Sequence, residues 1–178
     1  FKVTKMKRKR SLLRRIIIGV GLLLIFVAVF FLRTKYWNSK GKLAVVIDRG
    51  QEVVISLYDS KAGSRTDVII PGNTQVLAAY NLGTWKLGSL WKLGSDENMG
   101  GSLITKTISM NFSLPVFAWW DSLSLGDKLR ISIFSFLNRK SKDTVFLKET
   151  SYLKKTVFLD GENGYLVNKD VPEEVSSM

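Results

Sequence analysis

The chain of 178 residues carries 27 Lys or Arg against 15 Asp or Glu, with no His and no Cys, room for one domain of ordinary size and an appendage. Without His or Cys, zinc centres, a His-dependent triad and disulfide stapling are excluded, and a metal such as Mg²⁺ would need oxygen ligands. The net charge of +12 is concentrated: residues 1–33 hold nine basic residues and no acidic one, so 18 basic side chains face 15 acidic ones in the remainder.

Residues 1–15 are basic, and 16–32 (IIIGVGLLLIFVAVFFL) are uncharged and apolar. As a helix this run is about 25 Å long, slightly under a hydrocarbon layer of ~30 Å. Leu12 and Leu13 extend it, Arg14 and Arg15 can snorkel toward headgroups, and Tyr36 and Trp37 stand where interface anchors would. The expectation is an uncleaved transmembrane signal anchor over 16–33, with Ile16 and Leu32 at its ends. The excess of positive charge before it puts the N-terminus in the cytoplasm. That makes a single-pass protein of the cytoplasmic membrane with its domain extracytoplasmic. A cleaved signal peptide fits less well, because Phe30-Phe31-Leu32-Arg33 offers no small-residue cleavage site. The basic run KMKRKR is accounted for by the apolar segment beside it, and no nucleic-acid partner is expected.

Residues 34–42 read as a tether, and 43–168 as the folded domain. KLAVVID (42–48) and EVVISLYD (52–59) predict two strands joined by a tight connection at Arg49-Gly50-Gln51. KAGSR (61–65) is a turn, TDVIIP (66–71) a third strand, and TQVLAAY (74–80) an element of open type. After 95, Leu103, Ile104, Thr107, Ile108 and Asn111 recur at helical spacing, with Ser95 or Asp96 as N-cap and Pro115 as terminator. PVFAWWD (115–121) reads as an aromatic strand.

A second helix opens with Ser124 and Asp127 in capping-box spacing and carries the apolar stripe Leu129, Ile133, Phe136, Leu137. TVFL occurs at 144–147 and again at 156–159, and DGENG (160–164) turns into YLVN (165–168). Strands alternating with helices predict an α/β or α+β domain, a central mixed sheet flanked by helices. The last ten residues, 169–178, look like a linker or a truncated end.

The segment LGTWKLGSLWKLGS (82–95) repeats Trp-Lys-Leu-Gly-Ser after six residues. In a strand the two Trp rings would share a face and form a stacking platform; in a helix they would lie some 120° apart. Three glycines argue against one long regular element. The preferred reading is a short helical turn with Trp91 in the core and Trp85 at a rim. A carbohydrate or lipid contact through Trp85 and Lys86 is its rival.

The order of these pieces resembles the LytR-CpsA-Psr family. Asp48-Arg49-Gly50-Gln51-Glu52 between the first two strands looks like a contracted form of that family's acidic and arginine-bearing segments. Ile70-Pro71-Gly72-Asn73-Thr74 looks like its Ile-Pro-Arg-Asp-Thr, Lys86-Leu87-Gly88-Ser89 stands where its Lys helix begins, and Ser113-Leu114-Pro115-Val116 matches its Gly-Ile-Pro. The similarity covers 43–121. It implies a membrane-anchored envelope protein whose relatives transfer polyprenyl-pyrophosphate-linked glycopolymers to the cell wall, with Mg²⁺ and acidic residues neutralising the pyrophosphate.

The sequence departs from that pattern where Gly72-Asn73 replaces Arg-Asp, where Gln51 replaces an Asp, and where the second helix lacks an Arg-Gln pair. The resemblance leaves Asp48, Arg49, Glu52, Asn73, Trp85 and Lys86 as ligand-binding candidates, with Asp48 and Glu52 the candidates for Mg²⁺. The expected function is binding of a polyprenyl-phosphate lipid or anionic glycan, or assistance in envelope assembly. The alternatives are a phosphotransferase with a rebuilt site and a non-enzymatic envelope scaffold.

Overall fold

The computed structural model describes residues 2–33 and 35–168, with side chains described for 14–29, 33 and 35–168. The expected linker 169–178 and most side chains of the basic segment 1–15 lie outside the described residues. Helix α1 (Lys2–Leu32) precedes the folded body. Among the described residues no helix is long and apolar enough to cross a membrane, which overturns the expected transmembrane anchor over Ile16–Leu32. The described apolar side chains of α1 run from Ile16 to Val29, behind Arg14 and Arg15.

The interface role expected for Trp37 is also corrected. Trp37 is 2% exposed, with its ring edge-on to Phe134 at 5.3 Å and tilted against Tyr58 at 5.9 Å. The backbone amides of Lys35 and Trp37 each donate to the Asp127 carboxylate at 3.0 Å, and Tyr36 donates to it as well. The expected tether is therefore docked on the body at residues 35–37.

Among the described residues nine strands form two mixed sheets, so the α/β class holds, but with two sheets where one was expected. β1 (Lys42–Asp48), β2 (Glu52–Asp59) and β3 (Ser64–Pro71) make an antiparallel meander, flanked by β6 (Ala118–Trp119) parallel to β1 and β7 (Lys142–Phe146) parallel to β3. The second sheet has the order β5 (Thr84–Lys86), β4 (Thr74–Leu77), β9 (Asn163–Val167), β8 (Leu153–Val157). The chain passes from one sheet to the other at Gly72-Asn73. The aromatic strand shrinks to two paired residues, Ala118 and Trp119, because Trp120–Ser122 turns away as a 3₁₀ segment.

Alternation along β1 and β2 serves two cores. Val46, Val53, Ile55 and Ile70 face α2 (Leu90–Asp96), α3 (Gly101–Phe112) and the second sheet, joined by Leu87, Leu90, Leu103, Ile104 and Ile108. Leu43, Val45 and Tyr58 face the other way, onto Trp37, Leu123 and Ile131 of the α4 (Leu125–Leu137) layer.

Also buried there is Asp67, which accepts from Ser56 Oγ at 2.8 Å and from Arg65 Nε at 2.8 Å. Burial opposes its ionisation, and the Arg65 and Ser56 hydrogen bonds outweigh that, holding the carboxyl below its usual value. Asp127 follows the same logic: burial raises, and donation from Trp37, Ser124 and Lys35 wins.

Helix α3 begins at Gly101 and not after Ser95 or Asp96, which close α2 instead. The Gly94 carbonyl accepts from both Met99 and Gly100 amides at 2.8 Å, and Asn98 and Gly100 take positive φ, so the chain must leave one helix before starting the next. The capping box of α4 is present as read, with Ser124 Oγ accepting from the Asp127 amide. Its apolar stripe is not the inner face: Ile131 and Phe134 pack inward, while Leu129, Ile133, Phe136 and Leu137 are exposed.

Candidate functional site

A cleft of about 600 Å³ lies where the two sheets meet, and three tight backbone segments build it. They are the β1–β2 turn (Gly50, Gln51, Glu52), the crossing between sheets (Pro71, Gly72, Asn73) and the end of β5 with the turn after it (Lys86, Gly88, Ser89). Lys148 and Tyr165 complete the lining.

The three segments are laced together by backbone hydrogen bonds. The Gly72 amide donates to Gln51 O at 2.8 Å, and the Gly88 amide donates to Gly72 O at 2.8 Å. A Cβ on Gly72 would sit 2.9 Å from Gln51 O, and one on Gly88 would sit 3.3 Å from the Gly72 backbone. The glycine at 72, where the resembled family has Arg, is thus the residue that lets these backbones touch.

Of the six candidate residues, Glu52, Asn73 and Lys86 line the cleft, while Asp48, Arg49 and Trp85 do not. Asp48 is exposed, and its carboxylate accepts from the Gly50 amide at 2.8 Å, fixing the turn. It stands opposite Val53 in the strand register, so Glu52, one residue away, projects from the other face of the hairpin. The two carboxylates expected to share Mg²⁺ are therefore not brought together. Among the described residues no group of three acidic side chains gathers anywhere. Among the described residues, Asp48 and Glu52 do not form a Mg²⁺ centre.

Asn73 lies in the lining but is committed to structure, since its Nδ2 donates to Asn163 O at 2.8 Å and ties the crossing to β9. Trp85 is 39% exposed and its Nε1 donates to Leu82 O at 2.7 Å, at the rim of its own turn. It lies on β5, and its repeat partner Trp91 lies on α2, partly buried against the core. No two-Trp platform exists.

Lys86 is the one candidate with an electrostatic setting of its own. Its ammonium donates to Glu162 and, at 3.4 Å, to Asp160, both on the turn between β8 and β9. The Glu162 hydrogen bond, helped by the Asp160 charge, raises its pKa above the usual lysine value. Asp160 is held below the usual carboxylate value, first by donation from the Glu162 amide and then by Lys86. The second cation of the lining, Lys148, stands 5.5 Å from the Phe146 ring.

Sequence reading missed Lys148 and Tyr165 because both reach the cleft from beyond the last motif element, Ser113–Val116. It missed the Asp160–Glu162 turn as a partner of Lys86 because DGENG signals only a turn.

What the arrangement offers chemically is two lysine side chains and several backbone edges around an open hollow of mixed polar and apolar lining. The two lysines of the lining suit an anionic group.

The sequence matches no family profile and no curated protein. Among solved structures it is similar to TagV of B. subtilis, at 16% identity over 45% of this chain and 35% of that one, with a TM-score of 0.37. It is also similar to TagU of B. subtilis, at 18% identity over 45% and 34%, with a TM-score of 0.38. A third similarity is to a transcriptional regulator from Enterococcus faecalis, at 9% identity over 72% and 82%, with a TM-score of 0.45. The chain spans about a third of the length of TagV and TagU.

Proposed function

We propose that this is a cell-envelope protein whose cleft binds the phosphate-bearing head of an anionic glycan, without a transfer step. The observation that carries the reading is the meeting of Lys86 and Lys148 on one hollow, around the Ile-Pro-Gly-Asn-Thr segment that resembles the LytR-CpsA-Psr motif. Lysine ammonium groups engage phosphate as point charges.

A transferase reading finds less support. Asp48 is spent on its own turn and points away from Glu52, and Gly72 replaces the family's arginine. The Lys86 contact with Asp160 and Glu162 gives binding a specific character: a phosphate must compete with two carboxylates for the same ammonium.

The test is calorimetric titration of the purified chain with a short polyprenyl pyrophosphate and with a glycerol-phosphate oligomer. Saturable binding of either is expected, weakened at least fivefold by Lys148→Ala. Replacing Glu162 by Gln should tighten it by freeing Lys86. No binding of either ligand, or an affinity indifferent to both substitutions, would remove the reading and leave the scaffold alternative.

A further inference from the structure

Helix α4 has two apolar faces, and only one is used within the chain. Ile131 and Phe134 fill the core beneath it. Leu125, Leu129, Ile133, Phe136 and Leu137, spaced to share the opposite side, are 56%, 46%, 51%, 67% and 72% exposed. Five large apolar side chains on one helix face are more than scattered surface hydrophobes and call for an occupant.

Charge selects among occupants. The only carboxylate on α4 is Asp127, which is buried and fully engaged by Ser124 and the amides of 35–37. Along and just beyond the helix stand Lys128, Arg130, Arg139 and Lys140. Lys128 lies 5.4 Å from the Trp120 ring and Arg139 lies 5.4 Å from the Phe136 ring, so a cation accompanies an aromatic group at each end of the stripe.

A second copy of this face would set like charges against each other. A layer of anionic headgroups over hydrocarbon complements both features at once. The neighbourhood agrees: Arg33 O lies 3.2 Å from Ser124 Oγ, so α1, with the large apolar side chains of Ile16–Val29 exposed, leaves the body beside the start of α4.

We propose that the outer face of α4 docks on an anionic lipid surface, lying along it with Leu129, Ile133 and Phe136 dipped among the acyl chains. This inference stands apart from the cleft and does not depend on its ligand. The absence of cysteine from the chain makes the test clean. The full chain is labelled with an environment-sensitive fluorophore at Ile133→Cys or, as a second variant, Leu129→Cys, and on β8 at Lys154→Cys.

With vesicles of three parts phosphatidylcholine to one part phosphatidylglycerol, the labels at 133 and 129 should shift to the blue while the label at 154 does not. Arg139→Gln with Lys140→Gln should weaken partition roughly tenfold to thirtyfold. Three results overturn the proposal. One is an unshifted label on α4 while the protein sediments with the vesicles, which would assign binding to α1 alone. Another is an equal shift with phosphatidylcholine only. The last is a shift that follows protein concentration without vesicles, which would point to a second copy.

Discussion

The two copies of Trp-Lys-Leu-Gly-Ser are identical in sequence and different in everything else. In the first, Trp85 and Lys86 end strand β5 and Leu87–Ser89 form a 3₁₀ turn; in the second, all five residues lie in helix α2. Leu87 is completely buried, whereas Leu93 is packed only partly against the same core. Lys86 faces the cleft with two carboxylate partners, and Lys92 is exposed.

The difference comes from what each copy meets. Trp85 and Lys86 are captured by the register Val76 to Trp85 and Gln75 to Lys86, and Gly88 by the Gly72 carbonyl. The second copy has no strand edge beside it and takes the local helical option. Five residues set no conformation; the tertiary partner does.

Substitutions made in matched pairs should break the symmetry of the sequence in proportion to the asymmetry of the surroundings. Leu87→Ala removes a fully buried side chain from the main core and should cost about 3 kcal/mol, against about 1 kcal/mol for Leu93→Ala. Urea unfolding of the two variants measures the gap, and equal losses would mean that the two leucines share one environment.

The glycines give the next largest contrast. A Cβ on Gly94 would collide with the Gly100 carbonyl, a backbone atom that cannot swing aside. Gly94→Ala should therefore destabilise by about 2 kcal/mol, although alanine is the better helix former by ~1 kcal/mol. At Gly88 the nearest atoms are 3.3 Å away in Gly72, a gap that a shift of tenths of an ångström relieves. Gly88→Ala should cost less than about 1 kcal/mol. Thermal melts of both variants rank them, and a reversed order would show that the α2–α3 junction yields more readily than the cleft floor.

The same contrast explains what the sequence made legible. KLAVVID and EVVISLYD announce themselves because continuous apolar runs around a Gly-containing turn need no distant partner to be recognised, and β1 and β2 pair along their whole length. Ser124 and Asp127 are legible for the same reason, since a capping box closes within four residues.

Asp127's other task, holding the amides of 35–37, spans some ninety residues and leaves no local trace. Periodicity correctly gave α4 a hydrophobic side but could not choose between the two it has; Trp37 and Tyr58 made that choice by packing on Phe134. In the cleft, the crossing at Gly72-Asn73 could be located from its motif. Lys148, Tyr165 and the carboxylates facing Lys86 arrive through the second sheet, whose strands β8 and β9 join β4 only in three dimensions.

The smallest effect in the repeat is the most informative about the cleft. Because its folded pKa is raised, Lys86 supports the fold below the unfolded lysine value of about 10.4, and that support is lost as pH rises through the folded value. Asp160, held low, contributes above the unfolded value of about 3.9 and loses its contribution as pH falls through its lower folded value. Between those limits the latch on Lys86 is closed, and it opens in strong base or strong acid.

Side-chain amine resonances followed through the alkaline range should place Lys86 above the usual lysine value in the native chain, and Glu162→Gln should bring it back toward that value. Lys92→Ala, in the second copy, should leave the titration of Lys86 where it was. If Glu162→Gln leaves the Lys86 midpoint unmoved, the ammonium is not held by the β8–β9 turn, and the competition between phosphate and carboxylate at the cleft loses its basis.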